Sequence, residues 1–126
     1  MTASTYEFGS GVAQPVALMR VQRTLTTLTI ANGATASDAF DARGFVIFGL
    51  IMPAAFTGTT ITFTVAEVED GTYQALYDTS NVQVSLTVAV SRSYDLPAEL
   101  AAWPFWKIVS GSAEGAARSL KIAAKG

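Results

Sequence analysis

Hydrophobic and polar positions keep different rhythms in different parts of this chain, and the rhythms predict its elements. From Phe45 to Met52 apolar residues follow one another with only Gly49 between them. At this short length, rich in β-branched and aromatic side chains, such a run predicts a strand buried on both faces. Pro53, which has no N–H to donate to a ladder, ends it. From Ile61 to Ala66 the rhythm becomes strict: Ile61, Phe63 and Val65 point one way, and Thr62, Thr64 and Ala66 the other, as in a half-buried strand. The most regular alternation is Val82, Val84, Leu86, Val88 and Val90 against Gln83, Ser85, Thr87, Ala89 and Ser91, which predicts one strand long enough to cross the domain.

The remaining segments fill in around these. Val16, Leu18, Leu25, Leu28 and Ile30 among threonines predict a strand, with a bulge or bend near Arg20 to Arg23 where the apolar face changes. Asn32-Gly33, both tolerant of positive φ, predicts a hairpin onto a shorter strand around Ala36 to Phe40. Asp38, Asp41 and Arg43 form a polar corner, Glu69-Asp70-Gly71 and Asp78, Ser80 and Asn81 mark turns, and Tyr73 to Tyr77 fit a short strand between them. Ala98 to Ala102 fits a single helical turn with Pro97 at its first position. Lys107 to Val109 leads into a loop, Ser110 to Gly115, before a last strand with Leu120 and Ile122 inward and Ser119 and Lys121 outward. Eight or nine short strands with almost no helix predict an all-β, antiparallel, jelly-roll-like sandwich, whose strand order this pattern leaves open. Residues 1–14, small and polar and interrupted by Gly9 and Gly11, read as an N-terminal arm, and residues 15–126 as a single domain.

Composition changes the picture in one respect: of 126 residues, half are hydrophobic and only 14% are charged. That is well below the ~25% charged of an average soluble domain, so Thr, Ser and Ala must cover much of the exterior, a surface suited to packing against other proteins. A net charge of -2, with the cations scattered, gives no attraction for nucleic acid. The start of the chain lacks a basic and apolar signal, and the Phe45 to Phe56 run is too short for a spanning helix, so no membrane association is expected.

Candidate chemistry is thin. With no Cys and no His, the chain lacks thiolate ligands, the usual general base and the commonest metal ligand. Glu67, Glu69, Asp70 and Asp78 are the one carboxylate cluster, but their spacing matches no calcium loop, and no convergent acid pair suggests a glycosidase. Ser110-Gly111-Ser112 has no accompanying base and reads as a turn. No catalytic residue, metal or cofactor is expected. The aromatic group Tyr94, Trp103, Phe105 and Trp106 divides: Trp106 alternates in phase with Ile108 and belongs to the core, whereas Trp103 and Phe105, with Tyr6 and Phe8 of the arm, are the candidate partner-binding residues.

The order Gly49 to Gly58, Ile61-Thr62-Phe63, Glu69 to Asp78, Lys107 to Ser112 and Arg118 to Ile122 resembles a family of small tailed-bacteriophage structural proteins, the β-sandwich proteins that decorate or cement the phage head. The match runs from about residue 44 to the end, through turn and core signatures. The resemblance implies a virion protein on the head surface, assembled in the host cytoplasm. It also implies no enzymatic activity, with the major capsid protein and further copies of the chain, as dimer or trimer, for partners. A tail- or fibre-associated protein and, on Trp103 and Trp106, a carbohydrate-binding module are the alternatives.

Overall fold

The computed structural model describes residues 22–126. The arm over residues 1–14, Tyr6, Phe8 and the strand start at Val16 therefore lie outside the described residues. Nine strands follow: β1 (Arg23–Ile30), β2 (Phe40–Asp41), β3 (Ile47–Ile51), β4 (Thr60–Ala66), β5 (Gln74–Ala75), β6 (Ser85–Thr87), β7 (Ser93–Asp95), β8 (Phe105–Ser110) and β9 (Arg118–Lys125). The only helical element among the described residues is a 3₁₀ turn, Ala98–Ala102, for which Pro97 serves as N-cap rather than as first helical residue.

Every strand pairing is antiparallel. One sheet runs β1-β9-β3-β7, the other β2-β8-β4-β5, and β6 pairs with β4 as well. Since β8 occupies one side of β4, β5 at Thr64–Val65 and β6 at Thr60–Thr62 divide the other side between them and stand in for one broken edge strand. The chain crosses between the sheets at every connection except β4 to β5 and β5 to β6, and β8 and β9 return to insert beside strands made much earlier. That is jelly-roll connectivity, two Greek keys wound together.

Inward residues of both sheets make one core. Leu28, Ile30, Phe48, Leu50, Leu120 and Ile122 from the first sheet face Phe40, Ile61, Phe63, Trp106 and Ile108 from the second. Trp106, fully buried as its phase with Ile108 predicts, sits at the centre with its ring 4.8 Å from Phe40, 5.4 Å from Phe48 and 6.1 Å from Phe63. Its Nε1 has no hydrogen-bond partner among the described residues.

Two predicted strands turn out differently. The segment 82–91 is not one long strand: only Ser85–Thr87 pairs in a strand, although Val84 and Val88 still point inward. Asn81 (φ 61°) and Ser91 (φ 58°) turn the chain at either end, so the ladder is lost and the alternation holds only in the middle, with Val82 and Val90 exposed. The Asn32-Gly33 turn forms with Gly33 at φ 81°, but its return strand bridges β1 only at Ile30 and Ser37 before the chain leaves for the other sheet as β2.

The loop over Ser110 to Gly115 is tied down by a side chain the sequence pattern passed over. Glu114 is 1% exposed and accepts hydrogen bonds from Thr57 N (2.8 Å), Gly58 N (3.1 Å), Ser110 Oγ (2.7 Å) and Arg118 Nε (2.9 Å). Its own backbone bonds Gly33 and Ala34, so one residue joins three loops at one end of the sandwich. Gly58 must be glycine there, since a Cβ would collide with Ser110 Oγ.

Candidate functional site

The outer faces of the two sheets differ in chemistry. On the five-stranded sheet, β4 presents Thr60, Thr62 and Thr64 outward beside Ser85 and Thr87 of β6, a face of hydroxyls that water solvates well. On the four-stranded sheet the register lines up Leu25, Ala123, Gly49 and Asp95 in one outward row. Arg23, Lys125 and Ile47 form the row on one side, and Thr27, Lys121, Ile51 and Ser93 the row on the other. Gly49 and Ala123 are the smallest side chains at the middle of the sheet, so the larger ones around them wall a shallow depression of about 520 Å³. It continues past Gly49 and Ile51 into a second hollow of about 420 Å³.

This corrects the prediction for the Phe45 to Met52 run. Phe48 and Leu50 are buried, but Val46, Ile47 and Ile51 are exposed, Ile47 at 58%, and Leu25 across the sheet at 60%. The run is apolar on both sides because one side packs the core and the other lies open on the surface. A contiguous exposed apolar strip, unlike scattered single residues, marks an interaction surface. The non-alternating pattern was therefore the right signal, attached to the wrong explanation.

The charges on this face are uneven. Arg23 stands directly opposite Lys125, and Lys121 projects from the same strand, against the single carboxylate Asp95. Like charges directly across a ladder weaken it, so the arrangement gains stability from an anionic group placed over the face. None of these side chains forms an ion pair with another described residue; the ion pairs among the described residues are Arg43 with Asp41 and Arg118 with Glu114.

The aromatic candidates are placed otherwise. Phe105 is only 6% exposed: it lies outward on β8 next to Ala66, and the Arg43 guanidinium covers its ring at 5.0 Å. Asp41 holds that guanidinium through bonds of 2.9 Å to Nε and 2.8 Å to Nη2. The side-chain hydrogen bond from Arg43 keeps the Asp41 carboxyl below its ordinary value, so the carboxylate that anchors the guanidinium stays charged. Phe105 is thus shielded, not offered to a partner. Trp103 is half-buried and packs against the core after the 3₁₀ turn. Tyr6 and Phe8 lie outside the described residues. No group of three or more acidic metal ligands comes together among the described residues, and Glu67, Glu69 and Asp70 stay solvated on the turn between β4 and β5.

Since Ile47 and Leu25 support no core packing, replacing either by Glu is expected to change unfolding free energy by no more than about 0.5 kcal/mol, measured by urea titration. A larger loss would show that the strip serves stability instead of contact.

No family model and no curated protein matches the chain. Among solved structures, the crystal structure of SPBc2 prophage-derived protein YomS is similar, with a TM-score of 0.59, 16% sequence identity, and coverage of 86% of this chain and 96% of that one. At that identity the likeness shows the fold, and it extends over nearly the whole of the other protein.

Proposed function

We propose that this chain is a structural component of a phage particle that works by adhesion, without chemistry, and more finely that it is a decoration or cement protein on the outside of the head shell. The observation that supports this reading best is the open apolar strip of Leu25, Ile47 and Ile51 around Gly49 and Ala123, on a sheet whose inner side already has its core. A decoration subunit must bury surface against its neighbours, and exposed apolar side chains are the part of that surface that leaves water without the cost each charge incurs. The prophage origin of YomS, a protein of the same fold, supports a phage protein in general, and the resemblance of residues 44–126 to phage head proteins favours a place in the particle. Trp103, which a glycan-binding module would need free for stacking, gives much of its surface to the core, and that reading loses its anchor.

Quantitative mass spectrometry of purified virions tests the proposal. A copy number comparable to that of the major capsid protein supports a place on the head. A single ring's worth of copies moves the protein to the tail, and absence from the particle removes the structural reading altogether.

A further inference from the structure

Resting on that adhesive reading, we propose that the depression on the four-stranded sheet receives the β4–β5 turn of a second copy, so that copies associate head to tail. The face offers exposed Leu25 and Ile47 beside Arg23, Lys121 and Lys125. Two such faces set against each other would bring like charges together, which disfavours a two-fold, face-to-face dimer. The complementary surface is present on the same molecule. Between Ala66 and Gln74 the turn carries Glu67, Glu69 and Asp70 around Val68, which is 59% exposed. An exposed apolar side chain ringed by carboxylates matches a hollow of apolar side chains flanked by cations in both terms of the interaction.

The turn is also preformed, which lowers the entropy lost on docking. Gly71 N bonds Val68 O at 3.0 Å, Tyr73 Oη bonds Glu69 O at 2.8 Å, and the Tyr73 ring rests under Lys107 Nζ at 4.4 Å. The turn belongs to the five-stranded sheet and the hollow to the other, so the contact joins two different patches. Such a heterologous contact repeats from copy to copy and closes a ring wherever the rotation allows.

The test uses two full-length variants: one with Lys121→Glu and Lys125→Glu, the other with Glu67→Lys and Glu69→Lys. Sedimentation velocity over a concentration series is expected to show self-association of the unaltered protein, weakened at least tenfold in each variant alone. Mixing the two variants should restore association, because the intact turn of one meets the intact face of the other. Carbodiimide coupling of mixed light and heavy isotope-labelled chains should join Lys121 or Lys125 of one copy to Glu67, Glu69 or Asp70 of another. Coupling to Glu7 instead would show that the N-terminal segment fills the hollow, and would overturn the proposal. A monomer at every concentration, or a turn variant that associates normally, would overturn it equally. Neither of those results touches the virion copy number, so the adhesive reading can survive the loss of this contact.

Discussion

Trp106→Ala is expected to cost about 3–5 kcal/mol, the range for deleting a large buried aromatic side chain, and to lower the melting temperature by more than ~10 °C. The indole touches both sheets: Phe48 reaches it from one, Phe40 and Phe63 from the other. Its removal leaves a void between layers whose backbones are held at fixed separation by their ladders, so little of the space can collapse. With total stabilities of roughly 5–15 kcal/mol for domains of this kind, the variant should be partly unfolded under mild denaturant. Trp106→Phe is the informative control. It loses less volume and also removes the buried Nε1–H that has no partner among the described residues, so its cost should be well under half that of alanine. Urea titrations of the two variants decide the matter: equal costs would mean that neither the volume nor the ring contacts that phenylalanine retains contribute to stability.

The second large effect belongs to Glu114. Burial pushes its carboxyl upward. The bonds from Thr57 N, Ser110 Oγ, Arg118 and Gly58 N outweigh burial and hold it at about 2, below an ordinary 4.5. A carboxylate lowered by folding stabilises the protein fully above its unfolded value and loses that contribution as pH falls toward the folded one. The difference corresponds to roughly 3 kcal/mol, present at pH 5 and above and declining between there and about pH 2. Glu114→Ala should therefore destabilise by about 3 kcal/mol or more at neutral pH, since it also leaves Arg118, 16% exposed, without its carboxylate partner and with only Thr57 Oγ1 as acceptor. Measured at pH 3 against pH 7, the unaltered protein should lose stability steeply and the variant much less. Parallel losses in both would assign the acid sensitivity to other carboxylates.

How much of this was legible in the sequence depended on whether the deciding contact was local. Ile61, Phe63 and Val65, and Leu120 with Ile122, alternate because one side of their strand meets the core, and they are buried as that alternation requires. The sandwich followed from such segments. Strand order did not, because nothing in residues 118–125 states that they will lie between β1 and β3. Glu114 was passed over for a similar reason: three of its donors come from Thr57, Gly58 and Ser110, and two of those are more than fifty residues away in sequence. Its four-residue spacings to Ser110 and Arg118 were the local hints. The exposed strip was legible as a pattern, an apolar run without alternation, but burial and adhesion write the same pattern at Ile47 and Ile51, and only the layer arrangement distinguishes them.

The position of β9 has a further consequence for how the protein is made. It follows every other described strand along the chain, yet it fills the gap between β1 and β3, pairing with the first over Arg23–Ile30 and with the second over Ile47–Ile51. Until it leaves the ribosome, both of those strands expose unsatisfied backbone to any extended peptide nearby. Translation must therefore pass Lys125 before this half of the molecule can close, and nascent chains stalled short of Arg118 are the species most exposed to chaperone capture and to clumping.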